Sequence, residues 1–282
     1  MTKILNGKKL AAKIKENIKK DVEELKSQGI SPTICVIEVG DDPASKIYLG
    51  LKGKFAKEVG INERALHFPA EITQEELLNE IKKLNQDPAV NGIMVQLPVS
   101  KHIDETAIFD TIDPIKDADG FHPFNQGKLW QGNSDIIPAT VRGILSLIDE
   151  YNIDVAGKNA LVIGRSTIVG KPMAAELLNR NATVTIAHSK TKNLSELTKQ
   201  ADIIVSDVGQ AHLVTGDMVK DGVIIIDVGM NREDGQLMGD VEYDEVESKS
   251  SAITPVPGGV GPLTVASLME QVIVLTRMQN GR

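Results

Sequence analysis

The sequence predicts an α/β protein of two domains, the second a doubly wound, dinucleotide-type fold. Three observations predict it. At 282 residues the chain has room for about two domains, each large enough to bury a core. Helical and strand patterns alternate along most of its length, the order of a mainly parallel sheet layered between helices. A strand pattern over residues 160–163 also runs into a glycine-bracketed turn, Gly164-Arg165-Ser166-Thr167-Ile168-Val169-Gly170, and then into a helix.

The elements follow in order. Residues 10–25 place Ile14, Ile18, Val22 and Leu25 at helical spacing, and Gly29 and Pro32 end the helix. Residues 33–39 read as a buried strand closed by the turn Gly40-Asp41-Asp42-Pro43. Residues 45–59 read as a helix with Ser45 as its N-cap, and 64–68 as a short strand. Residues 73–84 read as a helix opened by a Thr73/Glu76 capping box, and 92–97 as a strand. Residues 100–138 break the rhythm with prolines and glycines and read as a long loop-rich stretch. Residues 140–151 are helical and connect the domains. Beyond the glycine turn come a helix over about 172–180 and strands at 182–187, 203–206 and 223–228. A final helix covers 267–278. The expected division is residues 1–139 and 140–265, with the helix at about 266–282 packing back on the first domain and a cleft between the two.

Composition narrows the function. With 31 Lys+Arg against 39 Asp+Glu the formal charge is −8, which argues against a general nucleic-acid binder. It leaves small anionic ligands open, since these read local charge. Cys35 is the only cysteine, so no internal disulfide forms, and its apolar run makes it a buried small hydrophobe. No apolar stretch approaches the about 20 residues of a membrane span, and the first residues lack the apolar core of a signal peptide. A soluble, cytoplasmic protein is expected. The five histidines form no ligand cluster, so no metal site is expected. His122 reads as a structural loop residue and Trp130 as a packing residue.

The glycine turn is the first functional signal. A strand–turn–helix unit brings backbone N–H groups and a helix N-terminus to a pyrophosphate. Here the spacing is Gly164-x-Ser166-x-x-x-Gly170, which taken alone is also compatible with an ordinary tight turn. The next strand ends Ala187-His188-Ser189-Lys190-Thr191-Lys192, with no acid to accept from a ribose 2′-hydroxyl. Its hydroxyls and cations, with the Arg165 fork, suit a 2′-phosphate, favouring NADP over NAD; a solvated basic turn is the plain alternative.

In the first domain Tyr48 and Lys52 share one helix face at i, i+4, a spacing equally that of a surface pair. Three further segments stand out: Val95-Gln96-Leu97-Pro98 at a strand end, Lys116-Asp117-Ala118-Asp119-Gly120-Phe121-His122-Pro123, and the loop from Pro255 to Thr264. With the segment from Val39 to Ser45, the Gly164 turn and the Val169-Gly170-Lys171-Pro172 that closes it, these six ordered motifs span nearly the whole chain. They closely resemble the bifunctional methylenetetrahydrofolate dehydrogenase/methenyltetrahydrofolate cyclohydrolase family.

The resemblance implies two reactions of one-carbon metabolism. In the first, 5,10-methylenetetrahydrofolate gives a hydride to NADP⁺. In the second, water opens the resulting 5,10-methenyl compound to 10-formyltetrahydrofolate. It implies Lys52 as the central cyclohydrolase residue, Tyr48 shaping the folate site, Gln96 tuning Lys52 and Asp119 holding the pterin. Leu97, Pro257, Gly258 and Gly259 join them as substrate-binding positions, and Gly164, Arg165, Ser166, Ser189 and Met230 match cofactor contacts. It further implies a homodimer. The chemistry agrees: a lysine acts as a base only when burial or neighbours lower its pKa, and a neutral Gln would position the amine without fixing it as ammonium. Gly50 lowers helix propensity between Tyr48 and Lys52. Ala139, Val141 and Ala211 depart from the expected motifs. A dehydrogenase without the hydrolase step and a non-catalytic nucleotide sensor are the alternatives. The intact Tyr48, Lys52, Gln96 and Asp119 set speaks against both.

Overall fold

A computed structural model describes residues 2–233 and 235–281. In chain order its elements are β1 (Lys3–Ile4), α1 (Gly7–Ser27), β2 (Thr33–Val39), α2 (Pro43–Val59), β3 (Asn62–Phe68), α3 (Gln74–Gln86), β4 (Gly92–Val95), α4 (Glu105–Thr111), α5 (Pro123–Trp130) and α6 (Ala139–Glu150). Then follow β5 (Asn159–Ile163), α7 (Gly170–Asn179), β6 (Thr183–Ala187), α8 (Leu194–Gln200), β7 (Ile203–Ser206), β8 (Val223–Asp227), β9 (Asn231–Glu233), β10 (Gln236–Met238), α9 (Tyr243–Glu247), β11 (Ser250–Ile253) and α10 (Val260–Gln279). Met1 and Arg282, the outer bounds of the domains read from sequence, lie outside the described residues.

The chain forms two compact units. One comprises Lys13–Lys128, Ser134–Ala139 and Val265–Arg282. Its sheet is three parallel strands in the order β3-β2-β4. One face carries a core of Cys35, Ile37, Val39, Ile93 and Val95 under Leu77, Ile81 and Leu84 of α3 and Ile108 of α4. On α10, Val272 and Leu275 reach the backbone at Gly92, where an added Cβ would lie 3.4 and 3.7 Å from them. Arg277 ties the same helix to Asp21 of α1 at 2.7 Å.

The other unit comprises Met1–Ala12, Leu129–Asn133 and Thr140–Thr264. Its six strands are parallel in the order β1-β11-β8-β7-β5-β6. Strand β5 has β6 on one side and β7 on the other, so the chain reverses direction across the sheet between β5 and β7. In such sheets ligands bind beyond the carboxyl ends of the strands at this reversal.

Several local expectations are corrected. The N-cap of α2 is Asp42, not Ser45: its carboxyl accepts from the Ser45 N–H at 2.7 Å, with Pro43 opening the helix. An aspartate ahead of proline at N1 outcompetes the serine, because proline needs no N–H partner there. Residues 100–138 are not one long loop. They hold α4, α5 and a 3₁₀ turn at Pro114–Lys116, two of these capped by Asp104 and Asp113. Trp130 is 47% exposed rather than packed. Cys35 is fully buried as expected, and burial pushes its thiol up to about 11. The Thr73/Glu76 capping box forms in both directions.

Candidate active site

Lys52 projects from α2, a helix that runs unbroken through Gly50 and Gly53. Gly50 has open space around it, whereas a Cβ on Gly53 would stand 2.5 Å from Glu63 Oε2 of β3. The absent side chain at Gly53 therefore seats the helix against the sheet. Met94 ends up beside Lys52 because β4 pairs with β2 in the register Val36↔Met94, and Gln96 follows two residues on. The Lys52 Nζ donates to Gln96 Oε1 at 2.8 Å and touches Met94 Sδ at 3.3 Å. Gln96 in turn donates from Nε2 to its neighbour's carbonyl, Leu97 O, at 2.6 Å. That second bond orients the amide so that its oxygen, not its nitrogen, faces the lysine.

A neutral acceptor and a sulfur are poor solvents for an ammonium. Burial accordingly lowers the Lys52 pKa, opposed by the charge of Asp119. Asp119 lies in the loop after the 3₁₀ turn, and burial raises its pKa to about 7, against the pull of Lys52. Desolvation thus favours the neutral form of both groups of this pair. A lysine whose pKa is lowered and a carboxyl whose pKa is raised stand together here, the pairing that acid–base chemistry uses.

The Asp119 loop is held by its neighbour. Asp117 is buried and accepts from Gly120 N at 2.9 Å, His122 N at 2.8 Å and Asn125 Nδ2 at 2.9 Å. Gly120 adopts φ 75°, and a Cβ there would meet Pro138 N at 2.8 Å, so only glycine fits. Lys116 is also buried; it donates to Leu84 O and Asp87 O, closing the C-terminus of α3. His122 Nδ1 accepts from Phe124 N at 2.9 Å, a loop-forming contact. Tyr48 stands one turn before Lys52 on α2, 37% exposed. The structure thus gathers Lys52, Gln96 and Asp119 by contact or charge, and sets Tyr48 one helical turn from Lys52.

In the other unit the glycine turn follows β5. Gly164 has φ 128°, and a Cβ on it would lie 2.5 Å from Asp207 O, so the loops after β5 and β7 touch at the sheet reversal. A Cβ on Gly170 would lie 2.5 Å from Gly164 O, closing the turn on itself. Ser166 Oγ accepts from Val169 N and Gly170 N at 3.1 and 3.0 Å and faces Asp207 Oδ2 at 3.3 Å. Its hydroxyl therefore closes the turn that leads into α7, a structural duty that spacing alone does not reveal. The register Ile163↔Ala187 puts the Arg165 loop beside residues 188–190. Arg165, Ser189 and Lys190 are all exposed. An exposed guanidinium, hydroxyl and ammonium, with no carboxylate from 188 to 192, fit a phosphorylated ribose better than a free 2′-hydroxyl. Met230, after β8, is 46% exposed. Pro257, Gly258 and Gly259 form the turn before α10, where Gly258 has φ 107° and its carbonyl accepts from Lys8 N at 3.0 Å.

Met94, Asp117, Asp207, Asp227 and Asp240 also belong to these sites, and no motif announces a part for them. The last three stand at or beyond strand ends beside valine and glycine segments, an acid in apolar company, which is the one local signal available.

Comparison with known proteins bears on the family and the fold. Residues 5–119 match the catalytic domain of the tetrahydrofolate dehydrogenase/cyclohydrolase family, and residues 138–280 match its NAD(P)-binding domain. The chain is 69% identical over 282 residues to the bifunctional protein FolD of Lactobacillus gasseri, covering 100% of both chains. Among solved structures, the bifunctional FolD dehydrogenase/cyclohydrolase of Campylobacter jejuni superposes with a TM-score of 0.98 at 48% identity, covering 99% of each chain. The Trypanosoma brucei enzyme, crystallised with NADP cofactor and inhibitor, superposes at 0.95 and 35% identity, covering 100% of this chain and 99% of that one.

Proposed function

We propose that this chain, which belongs to the tetrahydrofolate dehydrogenase/cyclohydrolase family, is a bifunctional enzyme of one-carbon folate chemistry. It oxidises 5,10-methylenetetrahydrofolate to 5,10-methenyltetrahydrofolate and hydrolyses that product to 10-formyltetrahydrofolate. The observation that carries the reading is the 2.8 Å bond from Lys52 to Gln96, with the lysine's pKa lowered by burial and Asp119 within reach of its charge. A lysine held ready to take a proton serves the hydrolysis rather than the hydride transfer.

The cofactor is NADP, which accepts the hydride when bound. Gly164, Arg165, Ser166, Ser189 and Met230 hold it, Arg165 and Ser189 reading the 2′-phosphate. Residues 140–265 carry this side; residues 1–139 with the closing helix at 266–282 carry the folate side, Pro257, Gly258 and Gly259 adding a wall. Asp119 receives the pterin's amino edge, Leu97 lines the ring and Tyr48 stacks against the folate. Hydride transfer needs no protein acid or base; the chain's task there is to hold the reacting groups in near-attack geometry.

Hydrolysis needs a base. The neutral Lys52 amine takes a proton from the attacking water as its oxygen bonds to the methenyl carbon. The bond from that carbon to N5 then breaks and the formyl group stays on N10. One of the water's protons ends on N5 and the other leaves to solvent. Gln96 keeps the amine aimed without binding it as an ammonium.

The chain acts in the cytoplasm as a homodimer. No described helix is long and apolar enough to cross a membrane. Light scattering after size exclusion tests the dimer. The activity is tested by absorbance with purified protein and 5,10-methylenetetrahydrofolate, with NADP⁺ and separately with NAD⁺. Reduced cofactor with NADP⁺, and methenyl product that decays faster than without protein, are expected; reduced cofactor without accelerated decay refutes the second activity.

A further inference from the structure

At the carboxyl ends of β7 and β8 lies a carboxylate with an unusual load. Asp240 is wholly buried. Its Oδ2 accepts from Ser206 Oγ at 3.0 Å and Val208 N at 2.8 Å, and its Oδ1 accepts from Gln210 N and Asn231 Nδ2, each at 3.0 Å. All four donors are neutral. Its own N–H is bound by Asp227 Oδ1 at 3.0 Å, which also accepts from Gly229 N at 2.9 Å, while Asp227 Oδ2 accepts from Val241 N at 2.9 Å. Three segments, 206–210, 227–231 and 239–241, are thereby tied to two side chains. Nothing larger than hydrogen fits between them. A Cβ on Gly229 would stand 2.2 Å from Asp240 Oδ1, and one on Gly239 would stand 1.9 Å from Asp227 Oδ2.

This network presents two apolar side chains outward. Val208 is 39% exposed and Met230 46% exposed, on the loops after adjacent strands. The backbone of Val208 hangs directly on Asp240. Met230 lies between Gly229, pinned by Asp227, and Asn231, pinned by Asp240. One buried carboxylate therefore fixes the spacing of an apolar pair at the strand ends, where a flat ring with an apolar face would rest. Burying a carboxylate among neutral donors is expensive, and burial, with Asp240 adding to it, raises the pKa of the neighbouring Asp227 and Asp207. Such an arrangement suits a place where position matters more than stability.

We infer that Asp240 is a positioning residue for hydride transfer, setting Val208 and Met230 as a two-point rest for the nicotinamide ring. The inference builds on the dehydrogenase reading above and on Met230 as a cofactor contact, and adds Val208 as a second. The pyrophosphate and 2′-phosphate contacts lie on other loops, so loss of the network should misplace the ring while the cofactor stays bound.

The test uses the full-length enzyme and the variants Asn231→Ala and Asp240→Asn. Asn231 is partly exposed, so its variant keeps the test decisive if the other fails to fold. Three quantities are read: kcat and KM for NADP⁺-dependent oxidation, the NADP⁺ dissociation constant by calorimetry, and hydrolysis of 5,10-methenyltetrahydrofolate without cofactor. In Asn231→Ala, kcat for oxidation should fall about tenfold or more, since misplacement on the order of 1 Å costs up to about 10²-fold. The dissociation constant and the hydrolysis rate should stay within about threefold. A general structural role would lower hydrolysis and oxidation together, and that result overturns the inference. So does unchanged kcat in the variants beside an active wild type. A wild type without NADP⁺-dependent oxidation would sink the functional reading first, and this inference with it.

Discussion

Replacing Gln96 by glutamate changes one atom's charge at the point on which the hydrolysis depends. The Lys52 Nζ lies 2.8 Å from Gln96 Oε1. Two unit charges at that distance attract by about 6 kcal/mol at an effective dielectric of about 20. Desolvation of the new carboxylate and the partial exposure of both groups take back more than half of this. About 2 kcal/mol remains in favour of the ammonium, roughly a 30-fold loss of neutral amine at a given pH. The cyclohydrolase rate of Gln96→Glu should therefore fall roughly 30-fold near neutrality, and the limb of its pH–rate profile that rises with pH should move to higher pH. Oxidation with NADP⁺ should stay within a few-fold, because no protein base acts in that step. The assay is initial-rate decay of 5,10-methenyltetrahydrofolate across pH, corrected for the buffer reaction. A rising limb at the wild-type position would refute the claim that Gln96 keeps Lys52 neutral, whatever happened to the rate.

Other consequences are equally open to measurement. Arg165→Ala should weaken NADP⁺ by about 10- to 100-fold, the worth of a charge-assisted contact, and NAD⁺ by much less; equal weakening in a calorimetric titration would mean that Arg165 does not read the 2′-phosphate. Asp119 keeps its proton to about pH 7 when folded but releases it near 3.8 when unfolded. Between those values the native state binds the extra proton, so the unfolding free energy drops as pH rises. Asp119→Asn removes that slope and should gain stability relative to wild type between pH 4 and pH 8, on the order of a few kcal/mol; parallel denaturation profiles would show that the carboxyl is not held protonated. Gly50→Ala meets nothing within 4 Å and should stabilise the chain by about 0.5–1 kcal/mol in urea denaturation. A lower midpoint would mean that the helix needs the glycine.

What the sequence made legible follows from how local each signal is. Strand β2 is set by a continuous buried apolar run and the capping box at Thr73 by a hydrogen bond three residues long, and both are readable residue by residue. The α2 cap lies three residues ahead of Ser45 because serine and aspartate are both good caps, and the neighbouring proline decides between them. Residues 100–138 hide two short helices because three prolines and several glycines outweigh seven or eight residues of helical pattern. Strand β11, rich in serine, and the β9–β10 hairpin went unread for the same reason: they are short, and their partners rather than their own composition make them strands. In the site, Tyr48 and Lys52 share a face by spacing, but the bond from Lys52 to Gln96 spans 44 positions and came into view only through a family resemblance. Asp240 could not be found at all, since its four donors come from residues 206, 208, 210 and 231, brought together only by the order of β7 and β8.

The most direct test of the account compares wild type with Lys52→Met in a single run with 5,10-methylenetetrahydrofolate and NADP⁺, following reduced cofactor and methenyl product together. The account predicts reduced cofactor from both proteins, with methenyl product consumed by wild type and accumulating in the variant at the protein-free decay rate. A variant that clears the methenyl product as fast as wild type would contradict the assignment of the hydrolysis to Lys52.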